Sequence, residues 1–135
     1  MCYIFFMTKN RKAFTLVEIL IVVAIIALLA GIAIPNLLRA KVTSNQSVAQ
    51  ATLKAIANAL ETYAISNGVY PPATTSLIGA APPYLNKDYF STSSNGYNFT
   101  ATISDYAYSV VAVPASSSQG TASYTITTGG VLTTN

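Results

Sequence analysis

The 135-residue sequence has no histidine, no tryptophan and a single cysteine, and only 8% of its residues are charged. Without histidine there is no imidazole to serve in a catalytic dyad or as the commonest metal ligand. Cys2, being alone, cannot close an intramolecular disulfide. No cofactor, no metal site and no catalytic residue is therefore expected, and two isolated acids, Asp88 and Asp105, are too few for a calcium site. Charge is also unevenly spread. Lys9, Arg11 and Lys12 all lie ahead of an apolar run; from Phe14 onward the bases are Arg39, Lys41, Lys54 and Lys87 and the acids Glu18, Glu61, Asp88 and Asp105, which cancel. A neutral body has no basic patch to hold a phosphate backbone, which argues against nucleic-acid binding by a folded face.

What is present is hydrophobicity, 52% of residues, gathered near the start. Residues 19–34 contain no polar side chain, and residues 14–38 add only Thr15, Glu18, Pro35 and Asn36. As a helix that stretch rises roughly 37 Å, enough to cross a hydrocarbon core of about 30 Å. The preceding positive charges orient it with the N-terminus cytoplasmic and the following domain exported, although Arg39 and Lys41 stand on the far side. The segment MCYIFFM is apolar for a cytoplasmic leader, and Met7 offers a simpler start than Met1.

Beyond the apolar run, Ala49, Leu53, Ile56, Leu60 and Tyr63 recur at spacings of four and three, opposite Gln46, Gln50, Lys54, Asn58, Glu61 and Thr62. One apolar stripe on a half-polar helix packs against a domain. Asn67 and Gly68 stop it, and Pro71 and Pro72 cannot continue it. Pro35 removes a helix hydrogen bond and crowds the carbonyl one turn earlier; with Gly31 four residues upstream, a kink or local unwinding is expected there. The alternative is that both are simply tolerated, as in many membrane helices. Residues 68–95 read as loop. Then residues 97–102, 106–113 and 124–128 read as strands, with Gly129-Gly130 suited to a two-residue hairpin into Val131-Leu132 and residues 116–120 as a flexible connection. The expected fold is α+β: one long kinked N-terminal helix whose C-terminal half packs on a small antiparallel sheet of three or four strands.

The sharpest signal is Lys12-Ala13-Phe14-Thr15-Leu16-Val17-Glu18 running directly into the apolar stretch. Here the chain resembles the type IV pilin and pseudopilin family, strongly from Phe14 to about Tyr63 and generally beyond. The resemblance implies a leader over residues 1–13, a membrane and filament-core helix over 14–38, and an exported domain over 39–135, divided into helix 39–67, loop region 68–95 and sheet 96–135. It implies that a prepilin peptidase cuts between Ala13 and Phe14 and methylates the new Phe14 amine, with Ala13 standing where the family usually has glycine. It also puts Glu18 at the family's acidic position and Pro35 at a matching place.

A carboxylate one turn into an apolar segment costs roughly 2.5–3.5 kcal/mol near a bilayer centre, less near an interface, so a partner is expected. The freed Phe14 amine is the candidate, supplied by a neighbouring copy in a staggered stack; the bland alternative is a water-solvated interfacial glutamate. The tyrosines read as half-buried strand residues rather than a binding surface. Asn45-Gln46-Ser47 and Asn98-Phe99-Thr100 match the N-glycosylation pattern, which is short and common by chance.

The expected protein is not an enzyme but a filament subunit, anchored in the inner membrane with its C-terminus exported, then extracted by assembly machinery into a surface or periplasmic polymer of itself and related pilins. Its partners are other copies, the peptidase, that machinery and, before assembly, lipid. A pilus used in adhesion, motility or DNA uptake and a type II secretion pseudopilus both fit. A membrane-anchored binding module that never polymerises is the weaker reading.

Overall fold

The structure, a computed structural model, describes residues 13–135. The expectations for Met1, Cys2, Met7, Lys9, Arg11 and Lys12 lie outside the described residues. Helix α1 spans Leu16–Asn67, a short helix α2 spans Thr75–Gly79, and four strands follow: β1 (Tyr97–Ser104), β2 (Ala107–Pro114), β3 (Tyr124–Thr127) and β4 (Val131–Thr134). The chain divides into two units, Met1–Asn36 and Leu37–Asn135.

In the first unit the described part is helical from Leu16 on, and every Phe, Leu, Ile and Val from residue 14 to 34 is between 51% and 83% exposed. Apolar on all sides, it has no core of its own to pack into. The helix continues past both Gly31 and Pro35, although Pro35 has no N–H to donate, and the division between units falls one residue after Pro35, at Asn36.

The second unit builds the core. Along α1 the residues facing inward are Ala49, Leu53, Ile56, Ala57, Ala59 and Leu60. The four-and-three spacing thus does turn one stripe inward, and Tyr63 at its end is half-buried against the same core. Leu53, Ile56 and Leu60 are 0% exposed, and burial of each contributes about 1.5–3 kcal/mol. Gly68 ends the helix at φ +80°, a left-handed conformation that glycine tolerates, and donates its N–H to the Ala64 carbonyl at 2.7 Å.

The sheet is an antiparallel meander in the order β1-β2-β3-β4. Alternation decides its faces: Tyr97 and Phe99 of β1, Tyr108, Val110 and Ala112 of β2, and Tyr124 and Ile126 of β3 point to the core, and residues between them face outward. Asn95 (φ 49°) and Gly96 (φ 78°) form the tight turn into β1, closed by paired Ser94–Tyr97 backbone hydrogen bonds of 2.9 and 3.0 Å.

Three details depart from the sequence-based expectation. Leu77 lies in the helical turn α2 and is fully buried, because the loop region must roof one end of the core. The β3–β4 connection has three residues, Thr128 to Gly130, since the register pairs Thr127 with Val131. Thr128 stays with Tyr108, exchanging hydrogen bonds at 2.9 and 3.2 Å, which leaves both glycines in the turn at positive φ. Residues 116–120 are not a free connection: Gln119 and Gly120 both donate to the Ser116 carbonyl, and Asn45 Nδ2 reaches the carbonyl and Oε1 of Gln119 at 3.0 Å each.

Candidate functional site

The N-terminal site starts from the way a helix begins. The first backbone N–H groups of α1 have no intrahelical acceptor, and the sequence Thr15-Leu16-Val17-Glu18 supplies one reciprocally. Thr15 Oγ1 accepts the Glu18 N–H at 3.2 Å, while Glu18 Oε2 accepts the Thr15 N–H at 2.7 Å and the Thr15 hydroxyl at 2.8 Å. This is a capping box, and it places a carboxylate in the first turn, where the helix dipole favours negative charge. Ala13 and Phe14 precede it in non-helical backbone, both exposed, Phe14 at 83%. A shallow apolar groove of about 500 Å³ runs from Phe14 past Leu16 and Ile19 to Val23.

Ala13, Phe14 and Glu18 thus sit together around one helix terminus, whereas Gly31 and Pro35 lie inside the helix; a side chain at Gly31 would meet open space. Sequence reasoning looked for Glu18's partner outside the chain and overlooked Thr15, although a Thr followed three residues later by Glu ahead of an apolar run is a capping signature.

A second polar cluster joins α1 to the sheet. Glu61 Oε2 accepts the Tyr70 hydroxyl at 3.0 Å and Oε1 accepts the Gly129 N–H at 3.0 Å, so one carboxylate ties the helix to the β3–β4 turn. The Tyr108 hydroxyl is buried close to Glu61 but meets no partner at hydrogen-bond geometry among the described residues. Burial first, and the Glu61 carboxylate second, push its pKa up to about 12. The Tyr70 hydroxyl is pushed above its usual range by burial and by Glu61. The Asp88 carboxylate accepts the N–H groups of Phe90 and Ser91 at 2.8 and 3.3 Å, which hold it below the ordinary carboxylate range. Its role is to shape its own loop.

An exposed apolar helix opened by an acidic cap and continued into a helix-on-sheet domain defines the class: an α+β subunit with a hydrophobic N-terminal rod, long and apolar enough to cross a membrane. Residues 8–34 match the family described as the prokaryotic N-terminal methylation motif. The type IV wide pilus major component PilA4 of Thermus thermophilus is 40% identical over 93 residues, covering 66% of this chain and 71% of that protein. The type IV major pilin protein PilA of Myxococcus xanthus is 38% identical over 100 residues, 74% of this chain and 41% of that one. The type II secretion system core protein G of Vibrio cholerae is 41% identical over 73 residues, 53% of this chain and 50% of the other, so the chain spans about half of such relatives. The chain belongs to the type IV pilin and pseudopilin family.

Proposed function

We propose that this chain is the structural subunit of a type IV pilus-like filament, matured by removal of residues 1–13 and polymerised through its N-terminal helix. The observation that carries the reading is the first unit of α1, whose large apolar side chains are all more than half exposed. A rod of that kind must be covered, first by the inner-membrane lipid with the second unit exported, then by copies of itself. Between helices in lipid, burial of apolar area gives no net drive, so packing and polar pairing set the association. Glu18, released from its Thr15 hydrogen bonds or sharing them, meets the N-methylated Phe14 amine of a neighbour and fixes the axial register. Gly31 and Pro35 are the point at which the rod bends as it leaves lipid.

Cleavage between Ala13 and Phe14 is a prepilin peptidase's task, and the exposed, non-helical backbone there fits that enzyme's need for an accessible peptide bond. The role is mechanical, not catalytic, and extraction from the membrane falls to assembly machinery. The pilus is favoured over the secretion pseudopilus because the likeness to the Thermus pilus component covers 93 residues, 66% of this chain, against 73 residues, 53%, for protein G. The test is mass analysis of fibres sheared from cells. A subunit beginning at N-methylated Phe14 is expected; finding the protein only in the membrane, with its leader intact, refutes the proposal.

A further inference from the structure

The globular unit carries two features at opposite ends that neither its core nor its anchor uses. At one end lies a groove of about 470 Å³, lined by Leu38, Arg39, Val42 and Gln46 of α1 and by Ser117 and Ser118 of the β2–β3 connection. Its walls are held together: Gln46 Nε2 donates to Thr121 Oγ1 at 2.9 Å, and Asn45 clasps Gln119. Arg39 is exposed there. At the other end is the two-residue turn between β1 and β2, Asp105 and Tyr106. Tyr106 is 81% exposed, alone among the tyrosines of the sheet, and the turn is braced by the Tyr70 N–H on the Asp105 carbonyl at 3.0 Å. That brace leaves the Asp105 side chain exposed to solvent.

The register places these features apart. Tyr97 pairs with Pro114 at the groove end and Ser104 with Ala107 at the tip, a separation of roughly 23 Å at about 3.3 Å per residue. A cation beside an apolar-floored groove and an anion beside an exposed aromatic ring therefore cannot meet within one copy. Two different, complementary patches at opposite ends are what an open, non-closing polymer requires.

Resting on the filament reading above, we infer that globular units of successive copies dock head to tail, the Tyr106 ring of one seating in the groove of the next with Asp105 against Arg39. Tyr supplies a rigid ring that fills such a groove at low entropic cost, and the charge pair sets the register at the rim.

The chain has no cysteine after Cys2, so a pair can be introduced cleanly. In a Cys2→Ser background, Arg39→Cys combined with Asp105→Cys is expected to give a ladder of trimers and longer species when sheared fibres are treated with a short bismaleimide. Each single variant should give at least tenfold less. Fibres of the double variant that stay monomeric overturn the inference while leaving the filament reading intact. Should the double variant assemble poorly, the swap of Arg39→Asp with Asp105→Arg decides: each single reversal is expected to lower fibre yield at least fivefold and the swap to restore it. A swap no better than the singles overturns the docking. Unaltered cells without fibres overturn the filament reading, and this inference with it.

Discussion

Replacing Gly120 by alanine probes the joint between the β2–β3 connection and the core. Gly120 is buried, and a Cβ built on it would lie against the Tyr97 hydroxyl, 2.6 Å from Cζ and 2.8 Å from Cε2. Tyr97 is 0% exposed and cannot swing into solvent; its hydroxyl donates to the Ala122 carbonyl at 3.0 Å. Forcing a methyl group into that packing costs about 1–3 kcal/mol, and displacing the hydrogen bond about 0.5–1.5 kcal/mol more. The total, about 2–4 kcal/mol, lowers the melting temperature of a domain this size by roughly 10–20 °C. Circular dichroism melts of the detergent-solubilised chain measure it. Gly79→Ala is the control, because nothing lies within 4 Å of the new methyl, and it should stay within about 0.5 kcal/mol of the unaltered protein. Tyr97→Phe removes the nearest obstructing atom, so combining it with Gly120→Ala should cost less than the two single effects added. A Gly120→Ala protein melting within 2 °C of the original, on the order of half a kcal/mol, refutes the packing argument.

Glu61→Ala strands the Gly129 N–H and the Tyr70 hydroxyl and should cost about 1–3 kcal/mol, read from the same melts, with the β3–β4 turn losing amide protection first in hydrogen exchange. Tyr108→Phe deletes a buried hydroxyl without a partner, so stability at neutral pH should hold or rise. Because the folded-state pKa of Tyr108 is raised from 10.0 to about 12, its neutral form contributes fully below pH 10 and that contribution is lost as pH climbs from 10 toward 12. Alkaline titration of the melting temperature should therefore fall less steeply over that range in Tyr108→Phe. At the N-terminus, Thr15→Ala removes only one half of the cap, about 0.5–2 kcal/mol of local helix stability, and should spare fibre formation. Glu18→Gln keeps a capping acceptor but removes the charge, and should abolish it; fibre yield left intact in Glu18→Gln would reduce Glu18 to a helix cap.

Much of this was legible because it is periodic. An unbroken apolar stretch, then Ala49, Leu53, Ile56 and Leu60 at helical spacing, announces one helix with two environments. The alternation of Tyr97, Phe99 and their neighbours announces strands, and Asn95-Gly96 the turn that starts them. At the N-terminus the sequence showed an acid in the first turn of an apolar helix, although its local hydrogen bonds to Thr15 passed unnoticed.

What periodicity cannot carry is long-range. Whether residues 116–120 hang free or are clasped depends on Asn45, more than seventy residues earlier. The need for glycine at 120 exists only because Tyr97 lies there, and the length of the β3–β4 turn follows from Thr128 staying with Tyr108. Sequence alone determined the greasy rod, the acid and the alternation, because each rests on neighbours a few residues apart. Only the tertiary structure decided which polar groups are satisfied, which are stranded and which ends of the domain face outward, since those depend on atoms brought together by packing.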